Sequence, residues 1–93
     1  MVVGVLFVEI HIPASTNLKA KRRVLQSIKA NVRNKFNVSI SEVDFHDLWQ
    51  RCAFGVAGVG PDRLPVEREL DSILRMIEGN PEGEVTNHNM EFV

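Results

Sequence analysis

Two stretches of helical periodicity, each set between stretches of strand character, constrain this chain more than any other feature. Over Leu18–Phe36, at about 100° per residue, Leu18, Leu25, Ile28, Val32 and Phe36 fall within about 80° of arc, with Val24 at the margin. Over Arg63–Glu78, Val66, Leu70, Ile73, Leu74 and Ile77 form a second stripe. Each stripe must be buried against something, and the flanking segments supply it. Ser15, Thr16 and Asn17 are candidate N-caps for the first helix. The turn Gly60-Pro61-Asp62 precedes the second helix, and Gly79-Asn80-Pro81 closes it, with Gly79 expected in the C′ position.

The remaining segments read as strands. Val2–Ile12 is apolar on both faces and rich in β-branched residues, which predicts a central strand ended by Pro13. Asn37–Asp44 alternates, with Val38 and Ile40 on one face. Trp49–Val59 is a third strand whose small residues Ala53, Gly55, Ala57 and Gly58 predict close approach by a helix. Glu84–Val93 is polar and edge-like. The order β-α-β-β-α-β over residues 1–93 predicts a single ferredoxin-like α+β domain. Its four-stranded antiparallel sheet carries both helices on one face.

Charge is distributed unevenly. The net charge is −1, yet Ser15–Ser41 holds Lys19, Lys21, Arg22, Arg23, Lys29, Arg33 and Lys35 with no acid, while eight of the acids lie beyond Pro61. Lys19, Arg22, Arg23, Lys29 and Arg33 share about 120° of the first helix, away from its apolar stripe. Lys21 points toward the stripe and is expected to snorkel its ammonium to water. Like charges at i,i+3 and i,i+4 cost a few tenths of a kcal/mol per pair, so a helix selected for stability alone would include Glu. Cations along roughly 27 Å of helix match a phosphate backbone, which rewards each neutralised phosphate by counterion release. An acidic protein partner or a merely solvated face is the competing reading.

The bare face of the sheet is the second candidate surface. With Phe7 it would carry Val3, Val5, Glu9 and His11, and the apolar trio Val3, Val5 and Phe7 predicts a homodimer interface ahead of base stacking. Trp49 and Arg51 are a candidate cation–π pair or partner anchor. His11, His46 and His88 lack metal-ligand spacing, so no metal or other cofactor is expected. Asp44, His46 and Asp47 as an acid–base cluster would need a cleft and a tuned pKa, and Cys52, a lone cysteine in an apolar strand, reads as core rather than as a nucleophile, so no catalytic residue is assigned. Gly55–Gly60 has neither a P-loop lysine nor GxGxxG, so no nucleotide or other small-molecule substrate is read from it. The single cysteine excludes an intrachain disulfide and fits a reducing compartment. The longest apolar run, Val5–Val8, is far short of the roughly 20 residues that span a bilayer. No basic segment precedes the first apolar run, so no signal peptide is read, and the expected location is the cytosol with no membrane partner.

MVVGVLFVEIHIP, LKAKRRVLQSIKANVRNKFNVSISEVD and DLWQRCAFGVAGV resemble the YlxP-like family of small bacterial proteins, a domain of unknown function, over essentially the whole chain. The resemblance implies a ferredoxin-like fold, in a family with no established enzyme activity. Genes of that family often lie beside those for transcription elongation, translation initiation and ribosome-binding factors, which implies a setting near RNA or the ribosome. Charge and resemblance together predict a non-enzymatic RNA- or ribosome-associated module using the basic first helix. The alternative is a structural homodimer or protein-interaction module with no nucleic-acid role.

Overall fold

The computed structural model describes residues 1–93. The elements run β1 (Val2–His11), α1 (Leu18–Lys35), β2 (Ser39–Asp44), β3 (Arg51–Gly60), α2 (Arg63–Glu78) and β4 (Glu84–Phe92). The strands form one sheet in the order β2-β3-β1-β4, every neighbouring pair antiparallel. This is the ferredoxin-like α+β arrangement, with β1 central and β4 at an edge as the hydropathy pattern requires.

Alternation along β1 divides the sheet into two faces. Leu6, Val8 and Ile10 are buried with Cys52, Phe54 and Val56 of β3 and Ile40 of β2 beneath the helices. From above, Val24, Leu25, Ile28 and Val32 of α1 and Val66, Leu70, Ile73, Leu74 and Ile77 of α2 complete the core. α2 crosses β1 and β3, whereas α1 lies toward β2. A Cβ at Gly4 would sit 2.6 Å from Val66 Cγ1 and 2.7 Å from Leu70 Cδ1, so glycine there lets α2 reach the sheet. Helix approach at β3 is correspondingly at Gly58, beside Glu69 of α2. It does not occur at Ala53, Gly55 or Ala57, which the register places on the opposite face with Glu9, Phe7 and Val5. The expectation for those three residues is corrected by strand parity: neighbours in a strand face opposite ways.

Local chemistry sets the element ends. Of the three candidate caps, Asn17 is the one used, its Oδ1 accepting the Ala20 N–H at 2.8 Å. Ser15 is buried instead and donates to the Asn17 carbonyl at 3.2 Å. Gly79 caps α2 with φ −78°, a right-handed conformation, so the left-handed role usual for a C′ glycine is not needed here. Trp49 and Gln50 precede β3 rather than opening it, and Gln50 braces the β1–α1 connection. Its Nε2 donates to the carbonyls of Pro13 and Ser15, both at 3.2 Å, and its carbonyl accepts the Ile12 N–H at 2.9 Å.

Lys21 does not snorkel. It is 1% exposed, and its Nζ lies 3.0 Å from Glu42 Oε2 of β2. The ammonium also donates to the Phe45 carbonyl at 2.7 Å and approaches that of His46 at 3.5 Å. The contact with Glu42 is ionic rather than a well-aligned hydrogen bond, since Oε2 is buried without a hydrogen-bond partner of proper geometry. Snorkelling gains nothing when a carboxylate and two carbonyls wait at the end of the side chain. Removing one member of such a pair strands the other charge. Lys21→Met is therefore expected to cost about 3–5 kcal/mol in urea denaturation, and Lys21→Met combined with Glu42→Leu to recover most of that loss. Equal destabilisation by single and double variants would show that the pairing is not what holds α1 to β2.

Candidate nucleic-acid interface

The burial of one side of α1 fixes where its remaining cations go. Lys19, Arg22 and Arg23 are exposed, and each of the ion pairs in the fold forms elsewhere. Lys29 is half-buried, and Arg33 is exposed but donates from Nη2 to the Ile40 carbonyl at 3.1 Å. The five residues therefore do not form a uniform row. The N-terminal half of the helix carries three unengaged cations, while the C-terminal half leans on edge strand β2. Lys35 adds an exposed charge at the helix end. The sole acid that reaches α1 by an ion pair is Glu42, and it is spent underneath, on Lys21.

The helix-free face of the sheet carries Val3, Val5, Phe7, Glu9 and His11 of β1, as alternation predicts. Val3 and Phe7 are half-buried, and Val5 is 38% exposed. Opposite them in β3 lie Val59, Ala57 and Gly55, with Val59 62% exposed, and Val43 of β2 packs beside Gly55. This makes an apolar strip along the middle of the sheet. Its flanks are polar: Ser39 and Ser41 on β2, Asn87, Asn89 and Glu91 on β4.

At one end of the strip the side chains change character. Arg51 Nη2 pairs with Glu9 Oε1 at 3.0 Å, and Thr86 Oγ1 lies 3.3 Å from Glu9 Oε2. The Arg51 guanidinium stacks 3.8 Å above the Phe45 ring, not on Trp49. The proposed Trp49–Arg51 pair is thus corrected, because Trp49 sits in the β2–β3 connection instead of two places along a strand. Trp49 and Leu48 are 53% and 47% exposed there. Phe45 is a residue to which the sequence analysis assigns no role. A positive φ of 63° in a bulky residue is unusual, and nothing in the sequence signals it.

The polar candidates are engaged separately. His11 Nδ1 lies 3.1 Å from Glu84, and His46 Nε2 lies 3.2 Å from the Glu42 carbonyl, while His88 is exposed on β4. No three ligating groups converge. Asp44 Oδ1 accepts the Phe45 N–H at 2.8 Å, a turn-forming role, and Asp47 is exposed. Cys52 is buried in the core. Burial first, then the negative charge of Glu42, pushes its thiol up from 9.0 to about 12, with Lys21 and Lys29 pulling weakly the other way.

Comparison with known proteins places the chain in a family. The profile of the family described as "Protein of unknown function (DUF503)" matches residues 3–90. The chain is also 47% identical over 76 residues to "Uncharacterized protein YlxP" of Bacillus subtilis (strain 168), covering 82% of this chain and 83% of that protein. The chain belongs to this family of uncharacterised proteins, in which no enzymatic activity is indicated. No helix is long and apolar enough to cross a membrane.

The thiol supplies a direct check on the buried pair. A pKa raised in the folded state means that folding favours the protonated thiol. That contribution to stability is complete below about 9 and is lost as pH rises toward about 12. Iodoacetamide at about pH 8 should leave the native protein unmodified and alkylate it once urea unfolds it. Alkylation of the native chain at the rate of a free thiol would contradict a neutral, buried Cys52.

Proposed function

We propose that this protein is a non-enzymatic RNA-binding module that meets the phosphate backbone with α1, in the setting of the ribosome or its RNA. The observation that carries this reading is the unengaged cluster Lys19, Arg22 and Arg23, continued by Lys29 and Arg33, in a chain whose net charge is −1. Guanidinium groups match phosphate bidentately, and an acid-free helix face keeps them available. Lys29 and Arg33 contribute as flanking charges, since one is half-buried and the other already serves the Ile40 carbonyl.

Salt dependence tests this reading. At about −0.7 per neutralised phosphate on a single strand, log K against log[salt] should fall with a slope between about −2 and −3.5, for three to five contacts. Arg22→Gln with Arg23→Gln should weaken binding across RNA sequences and flatten the slope by about 1.4. Binding that ignores salt, or no RNA affinity at low ionic strength, would refute it.

A second reading, a homodimer joined through the open sheet face, is favoured by the apolar strip of Val3, Val5 and Phe7 with Val59 and its polar flanks. Phe7→Glu would place a charge in the centre of that strip. Sedimentation should then report a dimer for the parent protein and a monomer for the variant. An unchanged mass would remove the strip as an interface.

A further inference from the structure

We infer that the cleft at the His11–Arg51 end of the open sheet face is a nucleobase-binding site, with Trp49 as its stacking platform. The inference rests on the RNA reading above and assigns that reading its second contact. The cleft has a volume of about 780 Å³ and is lined by Trp49, Leu48, Gln50, Glu9, Arg51 and His11, among others. That lies within the roughly 300–1,000 Å³ typical of small-ligand sites.

Three observations carry it. First, Trp49 is 53% exposed, its indole N–H has no acceptor in the fold, and the one nearby guanidinium is committed to Phe45 and Glu9. Its ring is free to stack. Second, the segment bearing it is held at both ends. Gln50 is bonded to Ile12, Pro13 and Ser15, and the Phe45 carbonyl accepts from Lys21 Nζ and from the Leu48 N–H at 3.1 Å. An exposed aromatic on a backbone anchored on both sides leaves only its own side-chain rotamer to order on binding. Those same bonds tie Trp49 to the start of α1, so the ring and the cations Lys19, Arg22 and Arg23 share one end of the domain.

Third, the polar groups of the cleft suit a base rather than a phosphate. Glu9 and Asp47 line it and repel phosphate oxygens, while Arg51, which also lines it, already spends its guanidinium on Glu9 and the Phe45 ring. Glu9 is fixed by Arg51 and Thr86, and a carboxylate retains acceptor sites beyond two bonds. An exocyclic amino group on a stacked base would meet such an acceptor. Adenine, cytosine and guanine carry one; uracil does not. A strand whose phosphates follow α1 would then turn a base into the cleft, and amino-bearing bases would be preferred to uracil.

Trp49 is the only tryptophan, so intrinsic fluorescence reads the cleft directly. Titration with short single-stranded oligo(A) should quench it saturably, oligo(U) should do so more weakly, and inorganic polyphosphate should bind α1 without quenching. Measured by the anisotropy of a labelled strand, and by competition with that strand for polyphosphate, Trp49→Ala should weaken oligo(A) roughly 5- to 150-fold, the range for one lost base stack, and leave polyphosphate affinity unchanged. Trp49→Phe, which keeps a ring, should lie between. Quenching by AMP as strong as by oligo(A) would support the base site and identify free nucleotide as its source. RNA that binds with unchanged Trp49 emission and survives Trp49→Ala would overturn this inference while leaving the α1 reading intact. Loss of salt-dependent polyphosphate and RNA binding together would remove the α1 reading itself. Emission that shifts with protein concentration alone would make the cleft a self-association contact and overturn the base site.

Discussion

The contact between Lys21 and Glu42 is the constraint on which the rest of this fold turns. A buried ammonium carries a desolvation penalty of several kcal/mol, and here one carboxylate and the Phe45 and His46 carbonyls offset it. Each of those partners belongs to the segment from β2 into its connection with β3. The pair therefore does more than neutralise charge. It sets α1 against the sheet edge, fixes the start of the β2–β3 connection, and places beside Cys52 a carboxylate that adds to the effect of burial in raising the thiol pKa. One side chain from the first turn of α1 thus couples helix, edge strand and loop.

This internal pairing also explains why the outer side of α1 stays so positive. Glu42 is the one acid that forms an ion pair with the helix, and the fold consumes it beneath the surface. The acids of α2 are engaged or solvated on their own element, as with Asp71 and Arg75 at 3.0 Å. Lys19, Arg22 and Arg23 are left to repel one another at i,i+3 and i,i+4, a cost the helix bears without local relief. Amphipathic packing, not charge balance, stabilises α1, and its charges are free to answer to something outside the chain.

The architecture was legible because its two periodicities are clean. Period 3.6 over Leu18–Phe36 and Arg63–Glu78 and period two over β1 leave little choice of topology, and a β1 apolar on both faces can only be central. The cationic face was legible for the same reason. What hydropathy misses is where a side chain ends. Lys21 reads as a charge on an apolar stripe, and only the tertiary approach of β2 shows that the charge is satisfied there. Ala53, Gly55 and Ala57 read as room for a helix, yet smallness does not say which face of a strand is crowded. Trp49 reads as the start of a strand because aromatic residues favour strands. In the fold it lies in the β2–β3 connection, two residues before β3 begins at Arg51.

Phe45 connects these misreadings. A bulky side chain at φ 63° costs on the order of 1–3 kcal/mol, so the surroundings must impose it. They do so from both directions: Lys21 holds its carbonyl, Asp44 its N–H, and Arg51 covers its ring. The turn is bent sharply enough for the chain to enter β3 with Arg51 over the sheet and Trp49 outside it. A relaxed turn could join β2 to β3 equally well. The strained one fixes an aromatic plane beside an ordered ion pair, at the end of the domain where the unengaged cations of α1 begin. Strain maintained by three separate contacts fixes the path of the connection, and with it the positions at which Trp49 and Arg51 leave the backbone.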